Sequence, residues 1–260
     1  MGAGQHARLL IKTQQVSGSA YMKLLVFQHI DCEHPGIFRQ FFDEARIEWH
    51  AVKLDSGEQI PPLERFDALW VMGGPMDVWD TDSCPWLVPE KEAIRRWVQT
   101  LKKPFLGLCL GHQLLADTLG GRCERADKPE IGILDVDLAE EARGDPLLRG
   151  VDASIKCLQW HSVLVKTPPP GALLLASSPD CKWQAMRVGA NAWGLQFHVE
   201  LQDSTVEEWS EVPAYAEALR KAKGSCALAE MKRDASILMS EFNRNARIIS
   251  DNFITVMRGS

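Results

Sequence analysis

The sequence predicts an α/β fold: a doubly wound, mostly parallel sheet with antiparallel additions and a helical C-terminal extension. Three observations carry this. Short apolar runs alternate with amphipathic runs as far as Gly121, closely spaced strand patterns follow from Ile131 to Phe197, and the chain turns mainly helical after Glu200. Alternating strand and helix makes consecutive strands parallel, because each helix carries the chain back across the sheet, whereas short links between strands make antiparallel pairs.

The first strong strand pattern is MKLLVFQ, Met22 to Gln28; residues 1–21 show no sustained periodicity and are expected to be a flexible leader. Ile37, Phe38, Phe41, Phe42 and Ala45 then share one helical face, ahead of the strand candidate IEWHAVKL from Ile47 to Leu54. DALWVMGGP, starting at Asp67, is a buried strand running into Gly73-Gly74-Pro75. Ile94, Trp97, Val98 and Leu101 recur at helical spacing between Pro89 and Leu101, the mark of a helix laid on a sheet. KPFLGLC reads as a short strand stopped by Cys109 and Gly111, and HQLLADTLGG as a helix closed by Gly120 and Gly121. EIGILDVDL, SIKCLQWHS, ALLLASS and WQAMRV are the later strand candidates, the last joined through Gly189-Ala190-Asn191 to AWGLQFH. Ile237, Leu238, Phe242, Ile248, Ile249 and Phe253 predict a long closing helix or helix pair. The expected organisation is a leader (1–21), a catalytic domain (22–200) and a helical extension (201–260) packed on that same domain.

Composition narrows the partners. The chain has 260 residues, 45% hydrophobic and 25% charged, enough for a sizeable core. A formal net charge of -6, with no lysine-arginine block, gives no electrostatic case for nucleic acid or an anionic membrane. Seven cysteines, at positions 32, 84, 109, 123, 157, 181 and 226, lack paired spacing, and with no secretory h-region the economical expectation is a reducing cytoplasm.

Three segments carry chemistry. In Gly107-Leu108-Cys109-Leu110-Gly111 a strand turns into a helix around one cysteine. Such an elbow lifts a nucleophile above the sheet and aims it at unpaired helix amides, which favour an anion. Taken alone, Cys109 is equally a small core residue. Gly73-Gly74-Pro75 leaves backbone amides bare, as an oxyanion site needs, and is also an ordinary turn. In WGLQFHVE, His198 and Glu200 alternate on one strand face, where a carboxylate can orient an imidazole acting as general base; a histidine on a strand is as readily structural. Trp79, Trp86 and Trp209, close to these motifs, look exposed and read either as aromatics that shape substrate access or, as is more usual for the type, as packing residues.

With these segments in this order, the sequence resembles the class I (triad) glutamine amidotransferases: GLCLGHQLLA is similar to the family's G-x-C-x-G-x-Q elbow, and GLQFHVE to its Q-F-H-x-E ending. The resemblance covers Met22 to Glu200. It implies a flavodoxin-like sheet with Cys109 as nucleophile, His198 as acid and base, and Glu200 as the residue orienting it. It also implies an oxyanion hole at the amides of Gly74 and Leu110, and substrate contacts from Gly73, Gln113, and His161 with Ser162 in QWHSV. The implied reaction cleaves the γ-amide of glutamine, or a γ-glutamyl compound, through a Cys-linked thioester. No metal or organic cofactor is expected; the C-x-x-H spacing of Cys109 and His112 has no second ligand pair to match it.

Two departures bear on partners. The last motif reads His198-Val199-Glu200 where many biosynthetic members have His-Pro-Glu, and no G-x-x-x-x-G-K-[ST] loop is present. The pattern GGPMDVWD…PWLVPEKEAI looks most like stand-alone proteins similar to the amidotransferase domain of GMP synthase. That likeness leaves two alternatives beside a plain glutaminase: a hydrolase of γ-glutamyl peptides or conjugates, and a glutaminase that works only with a separate synthetase partner. A homodimer is the other protein partnership considered.

Overall fold

The structure is a computed structural model and describes residues 21–260. Apart from Tyr21, the leader expected over residues 1–21 lies outside the described residues.

Nine strands form one sheet: β1 (Met22–Gln28), β2 (Ile47–Lys53), β3 (Ala68–Val71), β4 (Phe105–Leu108), β5 (Arg122–Leu138), β6 (Ser154–Thr167), β7 (Ala172–Ser177), β8 (Ala185–Val188) and β9 (Ala192–Leu195). Their order across the sheet is β2-β1-β3-β4-β9-β8-β7-β5-β6. The first five run parallel, and every pair from β9 to β6 is antiparallel. The order 2-1-3-4 with a further parallel strand beside β4 is the flavodoxin-like arrangement.

Alternation along the strands explains the winding. Leu24, Val26 and Trp70 face one side with Leu106 and Leu108, where they pack on α1 (Phe38–Ala45) and the last helix, α6 (Ala227–Arg258). Leu25, Phe27, Leu69, Val71 and Phe105 face the other, against α2 (Leu87–Arg95) and α3 (Leu110–Thr118). The periodic run expected to end at Leu101 does so, although its last turn, Arg96–Leu101, widens to π geometry before Lys102 closes it in the left-handed region. A third cluster joins Leu158 and Trp160 of β6 to Trp209, Tyr215 and Phe242.

Several elements differ from those expected. β5 begins at Arg122, eight residues before the expected EIGILDVDL, because its first half pairs only with β6 and leaves polar residues RCERADKP on an open flank. Pro129, which has no N–H to give, sits where the register shifts between Arg125 and Glu130. β9 stops at Leu195, so His198 lies past the strand and is held by a two-way backbone bridge to Leu158. The C-terminal extension is three helices, α4 (Thr205–Ser210), α5 (Pro213–Lys223) and the 32-residue α6.

Candidate active site

Cys109 is the hinge of the β4–α3 elbow. Its φ of 49° and ψ of -102° lie outside the usual regions for a side-chain-bearing residue, a conformation that persists only where surroundings over-determine it. Those surroundings are backbone: Cys109 N–H donates to Leu195 O (2.8 Å), Gln113 N–H to Cys109 O (3.1 Å) and Gly111 N–H to Met72 O (3.2 Å). The flanking glycines are required by space. A Cβ on Gly107 would stand 2.3 Å from Gly111 O, and one on Gly111 would stand 2.1 Å from Val71 O.

His198 and Glu200 meet this cysteine from the end of β9. His198 Nδ1–H donates to Glu200 Oε1 at 2.6 Å, and Val199 N–H donates to Glu200 Oε2 at 3.0 Å, so the carboxylate is held while it holds the ring. Both side chains are buried. Burial pushes the imidazole pKa down, but the Glu200 charge and the nearby Cys109 sulfur outweigh it, leaving His198 well above its ordinary value. Trp209, expected to be exposed, is instead buried edge-on against this ring, 4.7 Å between centroids; Trp79 is exposed.

The cysteine opens on a cavity of about 110 Å³ whose lining includes Gly74, Gln113, His161, Ser162 and Tyr215. Gly74 lies close to Leu110, whose Cδ2 would be 3.1 Å from an added Cβ, and Leu110 opens α3, so its N–H has no acceptor within the helix. Gly73 is not part of that lining, and its carbonyl accepts from His29 Nδ1–H (2.7 Å). The other His29 nitrogen meets Glu90 Oε1 at 2.9 Å, a fully buried pair that braces the glycine turn.

Two expected substrate contacts are already engaged. The Gln113 amide donates to Val163 O (3.0 Å) and Gln196 Oε1 (3.1 Å), leaving its oxygen for a ligand, and Gln196 in turn donates to Cys109 Sγ at 3.5 Å. His161 turns one nitrogen to Val163 O and the other toward Glu130, while Ser162 is exposed beside it. His112 lies against Gly194, neutral and pushed down to about 4 by burial; it shares no ligand cluster with Cys109 among the described residues.

Sequence reasoning missed Glu33. It is buried, its Oε1 accepts from Tyr215 O–H at 2.5 Å, and its carboxylate lies within 4.8 Å of His198 and Glu200 ligand atoms. Burial raises its pKa, and the Glu200 charge adds to that against the pull of His198 and Tyr215. The available signal was position: QHIDCEHPG leaves the C-terminal end of β1, on the rim where ligands of open α/β sheets collect.

The profile described as Glutamine amidotransferase class-I matches residues 30–208. The chain is similar to the glutamine-hydrolyzing GMP synthase component of Sulfolobus acidocaldarius, itself named as one subunit of that synthase. The two are 38% identical over 153 residues that make up 58% of this chain and 77% of that protein. It is 29% identical to a glutamine amidotransferase-like protein, YfeJ, of Salmonella typhimurium, covering 72% of this chain and 79% of the other. Among solved structures, a glutamine amidotransferase from Thermotoga maritima superposes with a TM-score of 0.80 at 26% identity, over 90% of this chain and 98% of that one. The elbow, the glycine turn and the His-x-Glu ending all fall inside the matched stretch, and the chain belongs to the class-I glutamine amidotransferase family.

Proposed function

We propose that the protein hydrolyses the side-chain amide of glutamine with Cys109, His198 and Glu200 as its triad. One observation carries the reading: a cysteine held in a sterically demanding elbow lies close enough to a buried imidazole to raise that ring's pKa, and the ring's Nδ1 is 2.6 Å from a carboxylate. The Cys109 sulfur attacks the γ-carbonyl carbon, and His198 holds the thiol proton. The oxyanion that forms is taken by the N–H groups of Gly74 and Leu110. His198 then protonates the departing nitrogen, ammonia leaves, and a γ-glutamyl thioester remains. Water attacks that thioester as His198 accepts its proton; glutamate is released and the thiol restored.

Seven free thiols favour a reducing compartment, the cytoplasm. Among the described residues no helix is long and apolar enough to cross a membrane. The test is ammonia release from glutamine by the purified chain. Wild-type protein is expected to release ammonia and glutamate in equal amounts and Cys109→Ser to release neither; turnover retained in the variant would refute the assignment.

A second reading has its own support. Several similar proteins are named as one subunit of a glutamine-hydrolyzing GMP synthase, and in the longer GMP synthase of Aeropyrum pernix the matched stretch covers only 27% of the protein. By analogy, this chain supplies ammonia to a separate synthetase chain. Ammonia release that rises many-fold when such a synthetase is added favours this reading; an unchanged rate favours the stand-alone hydrolase.

A further inference from the structure

Away from Cys109, the fold brings together a second set of ligand-type side chains. Glu130 in β5, His161 in β6 and Cys181 in the β7–β8 connection place a carboxylate oxygen, an imidazole nitrogen and a sulfur within 4.8 Å of one another, all in buried residues. Their spacing in the chain resembles no metal motif, which is why the sequence carries no signal for them.

The surrounding hydrogen bonds orient these donors inward. His161 Nδ1–H donates to Val163 O at 3.0 Å, which in a neutral ring leaves the lone pair on Nε2. That Nε2 is buried, lies 3.0 Å from Glu130 Oε2, and makes no hydrogen bond. Glu130 is held from behind: Ser178 O–H donates to Oε1 (2.6 Å) and the Gln184 amide to Oε2 (2.7 Å). Gln184 is in turn held by Gln159 (3.0 Å), and Cys181 N–H donates to Ser178 Oγ (3.1 Å). A backbone carbonyl fixing a histidine tautomer, with hydrogen bonds fixing a carboxylate, is the supporting shell of a metal site. With the ring neutral, the imidazole lone pair faces a carboxylate oxygen with no hydrogen bond between them, an arrangement that a bound cation would satisfy.

The donor set selects the ion. One nitrogen, one oxygen and one sulfur suit a borderline-soft dication and not magnesium or calcium, which take oxygen ligands. From ordinary zinc bond lengths, the edges of a tetrahedral site with these donors are about 3.3–3.6 Å, between the observed 3.0 Å pair and the 4.8 Å ceiling. Glu130 also borders a cavity of about 360 Å³ with Lys128, Pro179 and Asp180.

We propose that Glu130, His161 and Cys181 bind a zinc-class dication. The ion ties β5, β6 and the 178–184 connection together and locks the His161 ring in the wall of the cavity beside Cys109. This holds whether or not the chain hydrolyses glutamine.

The test is a Co²⁺ titration of chelator-treated, full-length protein carrying Cys109→Ser, so that the elbow thiol cannot contribute. The expected result is one equivalent bound, a thiolate-to-cobalt charge-transfer band, and displacement by Zn²⁺. Cys181→Ser in the same background is expected to abolish the band, and His161→Gln to weaken binding at least tenfold, with circular dichroism verifying the fold of each. No stoichiometric cobalt binding, or a band that survives Cys181→Ser, overturns the proposal in favour of a His161–Glu130 ion pair. Should either added variant fail to fold, the parent protein decides alone, since binding without the charge-transfer band already contradicts a Cys181 ligand.

Discussion

At the scale of residues, the electrostatics of the candidate site centre on the contact between His198 and Glu200. The imidazolium is kept by the carboxylate at 2.6 Å and by the sulfur, against the cost of burial. Removing the negative charge therefore lowers the His198 pKa. His198 must carry a proton to protonate the leaving nitrogen, so the basic limb of the kcat/KM profile should move to lower pH in Glu200→Gln, by about one unit or more. A profile unchanged in position, with only its height reduced, would mean that Glu200 does not set the imidazole charge. The proposed triad was legible because its members sit in short local motifs, Gly-x-Cys-x-Gly and His-x-Glu. Glu33 and Gln196 were not, because what places them beside the triad is long-range: Glu33 meets Tyr215, 182 positions away, and Gln196 meets Cys109 across 87. The engaged state of the Gln113 amide was hidden for the same reason, since its acceptors, Val163 of β6 and Gln196 just past β9, are 50 and 83 positions away.

At the scale of elements, the elbow is the unit that turns sequence into chemistry. It works only if α3 can approach β3 and β4 closely enough for Gly111 N–H to reach Met72 O, and that approach leaves no room for a side chain at residue 111. Gly111→Ala should therefore displace the helix start and cost about 1–3 kcal/mol, seen calorimetrically as a lowered melting temperature of several degrees. Activity should fall further than stability alone explains, because the Leu110 amide moves with the helix; unchanged melting and turnover would contradict a close-packed elbow. The parallel strands were readable because they are short, apolar and bounded by turns. The first half of β5 was not, because a strand paired on one side only carries polar residues and a proline that mimic a loop. The order of the antiparallel half was equally hidden, since β5 pairs with both β6 and β7, a choice that no local pattern records.

At the scale of the whole molecule, the C-terminal helices serve the sheet and the site together. α6 lays Ala246, Ile249 and Phe253 on the same face as α1, with Phe253 edge-on to Trp70 at 5.4 Å. α5 brings Tyr215 to Glu33 and into the cavity wall. Phe253→Ala should cost about 3–5 kcal/mol, the usual range for emptying a core aromatic site, measurable as a shifted urea midpoint; a loss under about 1 kcal/mol would mean that α6 is peripheral to the core. A helical tail was legible from its periodicity, but its role in the site was not, because the contacts of Trp209 and Tyr215 form only when the chain returns from beyond residue 200 to the end of β1. The proposed function makes Cys109 an acyl-transferring thiol, and intact-mass spectrometry of the full chain quenched during glutamine turnover detects that chemistry itself. The expected result is a population heavier by one γ-glutamyl group, mapped by peptide digestion to Cys109 and absent in Cys109→Ser; turnover with no such adduct, or an adduct on another cysteine, would contradict it.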